Sequence, residues 1–156
     1  MPRALTLALT LLTTLSLTTG CGDKDAADDS GAGDAEAVPD GTFTLDYVSA
    51  DGFTEADFTG LTITIDRASM SATLTPTEGE AVSLTLAEVP EEEWIKDCYT
   101  MNSHSVSEVF TVSPDPVVIG ALSIPSPGLT TKCGGRVLLG SVVGGEVVDP
   151  TLGFTE

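Results

Sequence analysis

From Gly41 onward, aliphatic and β-branched residues alternate with polar ones at a period of two, broken every few residues by Gly, Pro or Asp. A period of two puts successive side chains on opposite faces of a strand, so the pattern specifies half-buried antiparallel sheet. Phe43, Leu45 and Tyr47 share one face of a first strand, and Thr42, Thr44 and Asp46 share the other. Leu61, Ile63 and Ile65 repeat the pattern against Thr62, Thr64 and Asp66. The apolar parity then switches to Ala68, Met70, Ala72 and Leu74, which places a tight turn or bulge near Asp66 and Arg67. Thr75 to Gly79, with Pro76 inside it, reads as a hairpin turn before Val82, Leu84 and Leu86.

Further strand texture covers 106–112, 117–124, 136–143 and 146–148, and Gly144-Gly145 suits a two-residue hairpin turn. Pro90 ahead of Glu91, Glu92 and Glu93 predicts one short helix reaching Lys96, because acids complement the positive end of a helix. The expected fold is therefore mainly β: a small antiparallel barrel or sandwich with one short helix, spanning 42–156. At 156 residues the chain holds one such domain and short appendages.

The twenty residues that precede Cys21 belong to a different register. Arg3 is followed by an apolar stretch from Ala4 to Thr19 with no charge before Asp23. That is the order of an export signal. A membrane-spanning helix needs about 20 mostly apolar residues. Here Thr6, Thr10, Thr13, Thr14, Thr18 and Thr19 interrupt a shorter run. Residues 1–20 are read as a cleaved signal peptide.

The small residues leading into Gly20-Cys21 resemble the lipobox of bacterial lipoproteins. The resemblance covers about 21 residues and departs from the family pattern at Thr18, where the family favours Leu and this chain has Leu17 one place earlier. It implies that Cys21 becomes the first mature residue, carries a diacylglycerol (palmitate-type) anchor on its thiol, and ties the protein to a membrane through two or three acyl chains. Gly22 rather than Asp after the cysteine implies delivery to the outer membrane of a diderm cell envelope. Which side of that membrane is left open.

Residues 21–41 are almost entirely Asp, Ala, Gly and Ser after the cysteine, with seven acids and one Lys24. Such a segment has too little apolar surface to offset the entropy of ordering and is expected to be a solvated tether reaching roughly 25 Å. Asp23, Asp25, Asp28, Asp29 and Asp34 fit no calcium-loop register, so no metal site is expected.

Export leaves Cys98 and Cys133 as an even pair outside the reducing cytoplasm, and a disulfide between them is expected. His104, the single histidine, stands between Ser103 and Ser105 and lacks the partners that zinc or a catalytic triad would need. No cofactor is expected and the protein is read as not an enzyme. Twenty-four acids against six basic residues give a net charge of −18, which excludes phosphate-backbone recognition and so nucleic acid.

Phe43, Tyr47, Phe53, Phe58, Trp94 and Tyr99 either build the core or line a pocket. The body loosely resembles lipocalin-like domains of bacterial lipoproteins. That likeness implies a β-barrel binding a small apolar ligand, although Gly41-Thr42-Phe43 lacks the Trp that lipocalins usually show. The alternative is a non-enzymatic protein-interaction or structural module of the envelope. An internal apolar cavity would favour the ligand, and a filled interior would favour the interaction module.

Overall fold

The computed structural model describes residues 32–100, 103–132 and 135–156. Among the described residues there are thirteen strands: β1 (Ala32–Glu36), β2 (Gly41–Ser49), β3 (Thr62–Asp66), β4 (Ser71–Thr75), β5 (Val82–Glu88), β6 (Ile95–Thr100), β7 (Ser103–Ser107), β8 (Val109–Ser113), β9 (Val117–Ile119), β10 (Leu122–Ile124), β11 (Pro127–Lys132), β12 (Arg136–Val143) and β13 (Glu146–Thr155). Eight of these close into an antiparallel barrel in the order β11-β12-β13-β2-β3-β4-β5-β8. Followed along the chain, the ring is an up-and-down meander whose last strand, β13, returns to pair with the first, β2. Of the two architectures the sequence permits, this chain forms the barrel.

Two hairpins interrupt the meander. β6 and β7 leave the ring between β5 and β8 and form a three-stranded sheet with β1, in the order β1-β7-β6. β9 and β10 leave it between β8 and β11.

The period-two pattern explains both faces of the wall. Inward rows run Phe43–Ile63–Leu74 and Ile65–Ala72–Leu84 across β2 to β5. The outward row is Thr42–Thr64–Thr73–Ser83, with Thr42 and Thr64 hydroxyls 2.9 Å apart. This apolar-in, polar-out order is the reverse of a transmembrane barrel, which turns its apolar side to lipid. Among the described residues no helix is long and apolar enough to cross a membrane either.

Both ends of the barrel are stoppered. At one end β9 and β10 form a lid: Val117, Ile119, Leu122 and Ile124 are buried, while Val118 between them is half exposed. The feet of this hairpin are clamped by Ser126 N donating to Asp115 Oδ1 at 2.9 Å.

At the other end the chain enters the barrel past Val38, which is buried. Glu108, 8% exposed, accepts the Val38 N–H at 2.9 Å. Arg67 pairs with Glu108 through both guanidinium arms, one at 2.8 Å and the other, Nη1, on Oε2. Nη1 also donates to the Val38 carbonyl at 2.6 Å, and the guanidinium lies 5.4 Å over the Phe110 ring. The hydrogen bond to Glu108 raises Arg67 above its ordinary value, so the guanidinium stays charged.

Three expectations are corrected. The tether does not run to Gly41, because Ala32–Glu36 pairs in parallel with β7 and Val38 joins the core. Backbone pairing needs no apolar side chains, so composition does not reveal it. The helix over 90–96 shrinks to a three-residue 3-10 turn, Glu91–Glu93, with Pro90 as its cap, and Ile95 already begins β6. A second such turn spans Glu55–Phe58. The stretch 106–112 is two strands, broken at Glu108.

Glu108 is nearly buried while Arg67 is partly exposed, so removing the cation leaves an uncompensated carboxylate at a cost of about 2 kcal/mol. Arg67→Met is expected to lower unfolding stability by about that amount in urea titration. Arg136→Met, which breaks the exposed pair of Arg136 with Asp46, is expected to cost less than about 1 kcal/mol. Equal effects would contradict the assignment of the Arg67–Glu108 pair as the stopper.

Candidate functional site

A barrel of eight strands has an interior just wide enough for side chains to fill, or for one small ligand. Here each strand contributes an inward residue that is at most 2% exposed: Phe43, Ile63, Leu74, Leu84, Phe110, Leu129, Leu139 and Leu152. A cavity able to admit water would leave its wall atoms accessible. Among the described residues the interior is packed by the protein's own side chains, and concave surface is found on the outside.

Two grooves stand out. The first, about 790 Å³, lies on the outer wall between the 89–96 strap and the β12–β13 hairpin. Trp94 forms one bank, half-buried, its indole N–H donating to the Val89 carbonyl at 2.8 Å. The opposite bank is the turn Val143-Gly144-Gly145-Glu146, in which both glycines have positive φ, 62° and 79°. That is the geometry Gly-Gly adopts in a tight hairpin, as the sequence predicts. Val143 at its edge is 61% exposed.

The floor exists because Gly128 has no side chain. A Cβ there would overlap Cγ2 of Val142, which lies across the bare backbone of β11. Gly128 and Gly140 are cross-strand partners, and Gly140 is covered in the same way by Thr151 and Val147. Glycine thus lets the hairpin fold down onto the barrel wall and shapes the depression beside it.

The second groove, about 740 Å³, sits at the lidded end between the 3-10 turn Glu55–Phe58, the β4–β5 turn and the lid tip. Phe53 and Phe58 stack in a tilted pair at 5.6 Å, and Val118 faces them from the lid.

The aromatic residues weighed as core or pocket thus divide. Phe43 and Phe58 are core, Phe53 and Trp94 line one groove each, and Tyr47 is 40% exposed with Arg136 stacked on it at 5.6 Å. The side chain of Tyr99 lies outside the described residues.

Cys21 and Cys133 lie outside the described residues, as does the side chain of Cys98, whose backbone is part of β6 and pairs with Ser105. His104 is in β7, and its side chain is likewise outside them. Among the described residues no group of three potential ligands could hold a metal ion.

Arg67 and Glu108, which sequence reasoning passed over, carried one legible signal: Glu108 is the lone acid inside an apolar run, Val106 to Val112, where a strand buries its side chains. A charge in such a run needs a partner, and few basic residues are available. The depression at Gly128 had no such signal.

Compared with protein families, with curated proteins and with solved structures, the chain matches none.

Because Val142 rests directly on Gly128, Gly128→Val is expected to lift the β12–β13 hairpin and shift the emission of Trp94, the only tryptophan. The overpacking should cost about 1–3 kcal/mol. An unchanged emission spectrum in a folded Gly128→Val variant would show that the hairpin does not form the groove's bank.

Proposed function

We propose that this protein is an exported lipoprotein of the bacterial envelope, acylated at Cys21, whose barrel serves as a non-enzymatic docking module for other envelope components. The packed interior carries this reading. The lipocalin-like alternative, a small apolar ligand held inside the barrel, needs space that the inward residues occupy themselves. What the surface offers instead is two shallow grooves with apolar floors, suited to contact with another molecule.

Anchoring through Cys21 is supported by the lipobox-like Gly20-Cys21 and by the polar outer rows of the barrel, which give lipid nothing to hold. A Cys98–Cys133 disulfide is supported by the compartment.

Native mass spectrometry of the protein extracted from its own membranes tests these points together. The expected mass begins at Cys21, includes acyl chains and carries no further small molecule. A stoichiometric apolar adduct would restore the ligand-binding reading. A Cys21→Ser variant that still pellets with membranes would overturn the anchor. The native protein is expected to yield no alkylatable thiol until reduced, and labelling of Cys98 or Cys133 before reduction would remove the disulfide.

A further inference from the structure

The first groove has a charge pattern that the docking reading does not explain by itself. Its rim carries Glu92, Glu93, Asp115 and Glu146 against a single Lys96. Among the described residues none of these four acids forms an ion pair with a basic side chain; the ion pairs found there take Glu108 and Asp46. Four carboxylates around one concave surface attract a cation, and their low-dielectric walls concentrate the field.

Between them the partly exposed apolar side chains of the lining are Val89, Trp94 and Val142, beside the bare backbone of Gly128. A small hydrated cation would leave that surface unused. Trp94 adds a third requirement. Its N–H is already committed to the Val89 carbonyl, so what it presents is ring, on which a guanidinium or ammonium stacks favourably. Finally, β6 begins at Ile95 beside the groove and is an edge strand of its sheet, in the order β1-β7-β6. An edge strand supplies backbone groups to an extended chain.

We propose that this groove seats an extended polypeptide segment that carries arginine or lysine beside apolar side chains, the cation over Trp94 and between the carboxylates, the apolar groups against Val89 and Val142. This deepens the docking reading above and rests on it.

The probe is a synthetic octapeptide alternating arginine with valine, titrated into the full-length detergent-solubilised protein while the emission of Trp94 is followed. Saturable quenching is expected, weakened about tenfold when Glu92→Gln, Glu93→Gln and Glu146→Gln are combined. Glu78→Gln with Glu80→Gln, on the rim of the second groove, is expected to change the affinity less than twofold. These are exposed positions, so the variants should fold as the parent does.

No saturable quenching would overturn the proposal. So would equal binding of an octapeptide of arginine and glycine, since the acidic surface alone would then account for it. Weakening by the Glu78 and Glu80 changes in place of the first set would move the site to the other groove and overturn it too.

Photo-crosslinking in intact membranes separates this from the broader reading. With a photoreactive residue in place of Glu93 or, separately, Val118, protein cross-links from Val118 alone would reject the first groove and leave the docking module standing. Cross-links from neither would reject both.

Discussion

A closed meander leaves its two ends as the weak points of the fold, and at one of them the Arg67–Glu108 pair ties the entering chain to the wall. Glu108 sits where the chain passes from the outer sheet into the ring, between β7 and β8. Its N–H donates to the Glu36 carbonyl at 2.9 Å, its carbonyl accepts the Thr130 hydroxyl at 2.7 Å, and its carboxylate holds Val38 and Arg67. One residue therefore joins β1, the segment leading into β2, the β3–β4 turn and β11. A buried carboxylate is costly to desolvate, and here the cost is offset by a bidentate cation and a backbone donor in fixed positions. The pair specifies where the chain enters more than it adds stability, because a mismatched chain path would leave a charge without a partner.

With that end stoppered by ions and the other by the β9–β10 lid, the interior becomes an ordinary core. The inward row of each strand was chosen for volume: Phe43, Phe110 and Phe154 are spaced around the ring, with Leu and Ile between them. Filling gives stability through close packing. On the docking reading, whatever specificity this domain has is written on its outer wall, where the threonine and serine rows are nearly featureless and relief comes only from the excursions out of the meander. Both grooves lie at such excursions. The strap before β6 and the tip of the β12–β13 hairpin enclose one, and the lid tip bounds the other.

How far this was legible in the sequence follows from which physical signals are local. The alternation in 41–49, 62–66 and 82–88 marked strands because one face of each is buried and the other wet. Gly144-Gly145 marked its turn because positive φ at two successive positions is a demand that few other residues meet. β1 was hidden because its pairing is made by backbone groups in a segment rich in Ala, Gly and Asp. β11, Pro127–Lys132, was hidden because it is buried on both faces, with Gly128 beneath Val142, so no alternation exists to read. The acids at 91–93 pointed to a helix, yet three residues later Ile95 is claimed by a strand, and tertiary pairing overrides a weak local preference. The grooves are lined by residues such as 94 and 145 or 53 and 118, far apart in sequence, and no local pattern encodes them.

The early start of the ordered chain also bears on where the grooves can act. If Cys21 carries the proposed anchor, the ten residues 22–31 separate it from β1, which begins at Ala32. Fully extended, such a span covers at most about 40 Å, and a random coil of that length only about 20 Å. Under the proposed anchoring, a domain held so close would meet partners embedded in or attached to the same membrane. Its high negative charge keeps it from lying down on anionic lipid, so the wall and its grooves stay available in that narrow layer. The same charge favours partners whose exposed segments are basic. A packed core and an acid-rimmed outer groove thus agree with the proposed docking role, in which contact is made on the barrel's outer wall.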